Sequence, residues 1–263
     1  MAFAFPTAPT DGQTINIGDD IFRYDATKGV WDKYEGDAIL AGFRNILING
    51  AVTINQRGTT YAAAAVGDYW ADRWKKTAGG MTQIVEDGNY QPSTEYTLSG
   101  TGVTTQQITS PASGNWTIPD VPSTATNIQL EPGPVATPFE HRPIGTELAL
   151  CQRYLEASGT PGTTHAARWI AISDGNGVAP TSRCGTIMFF QTPKRVKPTM
   201  TYFSYNGASG AVSTTTGTSA VHINGTTLAA SATTYGTQLR RPGVTVIDTI
   251  SQYWGDFYAD AEL

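Results

Sequence analysis

Glycine and proline interrupt this chain at short intervals from end to end, 28 and 15 of them, and that punctuation limits what it can fold into. A long helix does not tolerate such breakers, whereas short strands joined by tight turns use them. Thr, Ser, Ala and Asn fill much of the rest, a mixture that also occurs in disordered chains. Hydrophobic residues at 40% and aromatics at 10% are too many for a solvated coil. The reading is an ordered all-β protein, and 263 residues suffice for one to two domains. A net charge of -5, with 15% of residues charged, provides no positive field for nucleic acid.

Residues 1–36 read as a self-contained β meander. Two alternating runs, Thr14–Ile17 and Ile21–Tyr24, flank a Gly-Asp-Asp turn, and a third runs from Gly29 to Lys33. Phe22, Tyr24 and Trp31 are its expected core. A core this small seldom stands alone, so a larger surface is expected to cover it. Residues 37–44 read as a linker or short helix. Residues 45–142 form a second unit, opened by a strand in which Ile46, Ile48, Val52 and Ile54 alternate across the turn signal Asn49-Gly50. Its later strands are expected at Thr82–Val85, Glu95–Leu98, Thr104–Ile108, Asn115–Ile118 and Thr126–Leu130, a spacing that suits a sandwich or jelly roll.

The unit closes on a strand with one buried face, carried by Ile128, Leu130 and Val135, before Pro132, Gly133, Pro134 and Pro138 bend the path. A connecting helix follows at 143–156. Pro143 and Glu147 suit its first turn, and Leu148, Leu150, Cys151, Tyr154 and Leu155 make its apolar stripe. Residues 157–263 form a third, C-terminal β unit. Its strands are expected at Ala167–Ser173, Cys184–Gln191 (apolar enough for burial on both faces), Thr199–Tyr205, Gly243–Ile250 and Trp254–Glu262. The hydroxyl-rich stretch 206–238 reads as long loops or hairpins.

Several of these segments are specific. NILINGAVTINQRG, then DYWADRW, then IQLEPGPVATPFEHRPIGTELALCQRYLE, in that order, resemble a module of bacteriophage tail fibres and receptor-binding spikes. The likeness covers residues 45–155 and implies a jelly roll similar to carbohydrate-binding modules. The N-terminal meander resembles the leading module of such fibres, and PKRVKPTMTYFSYN and the closing YADAEL resemble strands of fibre-tip domains. The resemblance implies a homotrimer that attaches to the phage tail or head by residues 1–36, Phe22, Tyr24 and Trp31 among them. Host surface polysaccharide would be bound by the C-terminal β-sandwich tip. The protein would be assembled in the host cytoplasm and reside in the virion tail. A head fibre or capsid decoration protein, or a compact depolymerase, are the rival readings.

Catalysis needs convergent groups, and His141, His165 and His222 are scattered, with no Ser elbow or Cys beside them. The carboxylate pairs Asp68/Asp72 and Glu86/Asp87 suit a hydrolase on paper, but Asp68 and Asp72 are expected to pair with Arg57 or Arg73. No enzyme activity and no cofactor are expected. Asp19-Asp20, Asp87-Gly-Asn89 and Asp174-Gly-Asn176 read as turns rather than metal sites. Cys151 and Cys184 read as buried free thiols. The N-terminus lacks the basic and apolar regions of a secretory signal. Sugar faces pack on flat rings, so Tyr202, Tyr205, Tyr235 and Trp254 are the candidate glycan contacts, drawn from a set that also holds Phe203 and Tyr253.

Overall fold

Among the described residues twenty short strands and one short helix make up the fold, and every strand pairing is antiparallel. The computed structural model describes residues 6–17, 20–33, 44–158, 169–172, 184–203, 211–216, 219–224, 229–241 and 252–263. Residues 37–43 of the linker expected at 37–44, the strand expected at 243–250, Tyr205 and the 174–176 turn lie outside them.

The N-terminal strands β1 (Thr14–Ile17), β2 (Asp20–Asp25) and β3 (Val30–Lys33) form a three-stranded meander. Asp25 closes its second turn, because Oδ1 accepts the Thr27 and Lys28 N–H groups while Gly29 takes a positive φ of 67°. Tyr24 and Trp31 face each other across the β2–β3 pair with ring centroids 5.4 Å apart. Tyr24, Trp31 and Phe22 all remain half-buried.

The central strands divide into three small sheets. β4 (Tyr69–Ala71), β5 (Trp74–Lys76) and β6 (Met81–Thr82) form one. β7 (Ile84–Val85) pairs with β10 (Trp116–Thr117), and β8 (Glu95–Thr101) lies between β9 (Gln106–Thr109) and β11 (Thr126–Pro132). Their inner faces share one core, with Leu47, Trp74, Met81, Leu98, Ile128 and Leu130 all fully buried. The rings of Tyr90 and Tyr96 pack edge-on against Trp116, at 5.5 and 5.2 Å.

The segment expected to open this unit as a strand does not form one. Residues 45–54 run beside β11 in an irregular path, held by two main-chain bonds, Ile46 N–H to Leu130 O and Ile128 N–H to Gly50 O, with side-chain amides supplying the rest. Asn45 Oδ1 accepts the N–H groups of Leu47 and Leu130, and its Nδ2 donates to the Ile128 carbonyl. Gln83 brackets Ile48 in the same manner, accepting its N–H and donating to its carbonyl, both at 2.8 Å. Asn49-Gly50 does open a turn, closed by the Val52 N–H on the Asn49 carbonyl at 2.9 Å, although no strand pair flanks it. A Cβ on Gly50 would collide with the Ile128 carbonyl oxygen, so the dipeptide marks a close backbone approach.

β11 also departs from the expected single buried face. Ile128 and Leu130 point into the core, yet Gln129 and Glu131 on the other face are buried as well. The Pro-rich strap 133–142 folds back over them. Glu131 accepts the Thr137 N–H and hydroxyl, Gln129 accepts the Glu140 N–H, and Glu140 accepts the Asn45 N–H. Val135 lies in that strap, beyond the strand.

Helix α1 spans Ile144–Gln152, with Pro143 as its N-cap. Cys151 is its buried residue, while Leu148 and Leu150 are half-buried. The stripe expected to continue through Tyr154 and Leu155 stops earlier. Tyr154 sits in a turn, and Leu155 opens β12 (Leu155–Ala157). Glu147 reaches the Asn49 N–H and Arg142 instead of capping its own helix.

Two further sheets follow. β12, β13 (Trp169–Ile172), β15 (Thr199–Phe203) and β16 (Ala211–Thr216) all pair with β20 (Gln252–Asp260), and β17 (Ser219–Asn224) completes the β16 hairpin. β14 (Cys184–Phe189), β19 (Gly236–Arg241) and β18 (Ala229–Ala232) form the other. Phe189, the last residue of β14, is 77% exposed while Phe190 just beyond it is buried, so the burial on both faces expected for Cys184–Gln191 does not extend to Phe189.

Candidate functional site

Four sequence-distant motifs meet around one guanidinium. Arg73, from ADRW, is 1% exposed and lies 3.6 Å from the centroid of the Tyr154 ring, from CQRY. It donates to the Ile84 carbonyl and forms an ion pair with Glu262, from YADAEL. Arg57, from QRG, pairs with Asp260 at 3.0 Å and Glu262 at 3.5 Å. Trp74 donates its indole N–H to the Asn49 carbonyl, and Asn49 Oδ1 and Nδ2 satisfy Thr53, Ile54 and Asp72 main-chain groups. Asp72 accepts from the Gln56 main chain and side chain, not from Arg57 or Arg73, so the expected Asp–Arg pairing is overturned. The arginines turn to the terminal strand, which offers Asp260 and Glu262 within reach. Burial raises the Asp72 carboxyl against the pull of its Gln56 hydrogen bonds.

A second buried pair joins Lys194 to Glu156. Lys194, from PKRVKPT, has a fully buried ammonium that donates to Glu156 at 2.7 Å, Gln152 O at 2.6 Å and Thr192 O at 2.8 Å. All three of its protons are used. Desolvation lowers its pKa, and the Glu156 hydrogen bond opposes that shift. Arg195 Nε donates to the Ala261 carbonyl. These resembling residues are therefore internal fasteners, not ligand contacts.

The proposed catalytic carboxylates do not form a free pair. Asp72 is buried while Asp68 is exposed, and Glu86 is occupied by Arg153 and the Tyr154 hydroxyl at 2.8 Å. Asp87 lies in a turn capped by Asn115, where its N–H meets Asn115 Oδ1. His141 is exposed and packs edge-on against Phe139. Among the described residues no three His, Cys, Asp or Glu side chains gather to hold a metal ion. Burial drives the Cys151 thiol well above its ordinary pKa, which suppresses the reactive thiolate.

The expected glycan contacts fare differently from one another. Tyr202 is buried, with its hydroxyl 3.0 Å from the Thr237 hydroxyl, so it offers no surface platform. Phe203 beside it is buried as well, so both faces are covered at this end of β15. Tyr235 is 68% exposed at the tip of the β18–β19 hairpin, beside Phe189 at the end of β14. The backbone of Trp254 pairs with Ile170 and Ser213 within β20. Its side chain, and Tyr205 altogether, are outside the described residues.

One groove was not anticipated. Arg57, Thr59, Ala63, Ala64, Gly67, Asp68, Tyr69, Tyr258 and Asp260 enclose about 470 Å³ between the 57–69 loop and β20. The Tyr69 hydroxyl donates to Leu263 O at 2.8 Å, and desolvation pushes its pKa up to about 12. Lys76 Nζ holds the loop from behind through the Tyr61 and Ala64 carbonyls. The only signal in sequence was that QRG and YADAEL both belong to resembling segments. A comparison of the chain with protein-family models, with curated proteins and with solved structures finds no match.

Proposed function

We propose that this chain is a structural virion protein, a phage tail fibre or tailspike that binds host surface glycan through its C-terminal part. The observation that carries the reading is the convergence of the resembling segments. QRG, ADRW, CQRY, KR and YADAEL, spread over some two hundred residues, interlock as buried ion pairs and main-chain hydrogen bonds. Such a pattern suits a rigid spacer better than a catalyst, whose acids and bases must face a substrate. On this reading the three central sheets are a jelly roll and the protein works as a homotrimer without enzymatic activity. The N-terminal meander is the tail anchor, its half-buried Tyr24, Trp31 and Phe22 being covered on docking. Weak sites then suffice, because a sugar site of millimolar affinity gains orders of magnitude when several act together.

The test is to label purified virions with antibody against this chain and image them. Label on tail fibres, together with competition of host adsorption by the purified protein, is the expected result. Label on the capsid would instead favour the head-fibre reading. Shortened chains or new reducing ends after incubation with host polysaccharide would replace the binding role with a depolymerase.

A further inference from the structure

The groove between the 57–69 loop and β20 has the makings of a ligand site in a part of the molecule that the tail-fibre reading treats as scaffold. Its two tyrosine rings are positioned from behind. Tyr69 is held by its bond to Leu263 O and by Arg57, whose guanidinium lies 5.4 Å from the ring centroid. Tyr258 directs its hydroxyl at the Gln56 and Arg57 carbonyls and packs edge-on against Phe203 at 5.1 Å. Rings fixed at both ends lose little entropy when a flat partner stacks on them. Thr59, Ala63, Ala64 and Gly67 keep the opposite wall low, and a Cβ placed on Gly67 would meet only open space.

The charges set the ligand class. One guanidinium lines the groove against two carboxylates, and that guanidinium is already matched by Asp260 and Glu262. Asp68 is the exposed acid, and its carboxylate accepts the Ala65 N–H at 3.3 Å. Lys75 lies 5.6 Å from the Tyr69 ring centroid, outside the groove lining. Within the groove lining an anionic ligand would meet this carboxylate with no uncommitted cation to offset it, Lys75 being close by but outside that lining. Hydroxyl donors, by contrast, find acceptors at Asp68 and Asp260 beside aromatic faces.

We propose that this groove binds a neutral saccharide, with C–H faces packed on Tyr69 and Tyr258 and hydroxyls donated to Asp68 and Asp260. The site requires β20, so it forms only when the end of the described chain is folded back on the central unit. It is distinct from the Tyr235 tip.

Saturation-transfer NMR on the full chain tests this, with maltotriose and tri-N-acetylchitotriose as neutral probes and sialyllactose as the anionic one. Transfer to the C–H protons of a neutral probe is expected, and little to sialyllactose. Ala63→Trp and, separately, Thr59→Trp fill the groove from its exposed wall without touching the ion pairs. Each should weaken binding by about tenfold or more, with an unchanged urea midpoint showing that the fold is intact. Tyr235→Ala should leave the signal as it is. Four outcomes overturn the proposal: no transfer to either neutral probe, equal transfer to sialyllactose, survival of the signal in both groove-filling variants, or its loss in Tyr235→Ala alone. The last would leave the host-glycan reading standing at the tip while removing this groove from it.

Discussion

Asn49 shows how much one side chain can carry when the backbone is irregular. It takes a positive φ of 57°, which asparagine tolerates, and its amide satisfies main-chain groups of Thr53, Ile54 and Asp72. Asn49→Ala would orphan those buried groups at about 1–3 kcal/mol each. The expected loss is at least about 3 kcal/mol in urea unfolding; a loss under about 1 kcal/mol would mean water replaces the amide. Lys194 and Glu156 are a comparable test for charge. Lys194→Met should cost about 3–5 kcal/mol, since it leaves a buried carboxylate without its cation. Adding Glu156→Leu should recover part of that, and a double-mutant cycle should show coupling of about 1–3 kcal/mol.

Asp72 gives a pH signature at the same scale. Its folded pKa is raised, chiefly by burial. The stability it contributes is therefore complete below its unfolded value of about 4 and is lost as pH rises through the folded value. The advantage of the native protein over Asp72→Asn should be greatest near pH 4 and shrink toward neutrality. Urea midpoints measured across that range check the sign, and an advantage that grows with pH contradicts it.

Among the described elements, β20 holds the most partners. It pairs with β12, β13, β15 and β16, and the residues at and after its end reach Tyr69, Arg57, Arg73, Tyr154 and Arg195. Removing residues 260–263 would leave Arg57 and Arg73 buried without their carboxylates. The central core should then lose about 3–5 kcal/mol, although no residue in its sheets has changed. The fluorescence of the chain followed in urea should shift to a lower midpoint; an unmoved midpoint would show that the central unit does not depend on β20.

For the whole molecule, the trimer reading has a mass to meet: three copies of 28.0 kDa, about 84 kDa, by light scattering at micromolar concentration. A mass of one copy would remove the avidity on which weak sugar sites depend. The same measurement on a chain lacking residues 1–36 locates the contacts. A mass that still corresponds to three copies of the shortened chain assigns assembly to the central and C-terminal units.

Short-range chemistry was written plainly in the amino acids. The meander at 14–33, the strands near 95–132, the helix at 144–152 and the β15 and β20 strands all follow from alternation, turn residues and breakers, because each depends on neighbours a few positions away. The sequence by itself determined an all-β chain of short strands with one brief helix. What it could not determine was which polar residue answers which. Asn45 and Gln83 mimic strand edges 85 and 35 positions away, and Arg73 finds its carboxylate 189 positions along the chain. Only tertiary structure decides such pairings, because local spacing leaves side chains distant in sequence free to meet anywhere. The inward turn of Tyr202, the exposure of Phe189 and the groove at Arg57, Tyr69 and Tyr258 were decided there as well, by what the fold happened to bring beside them.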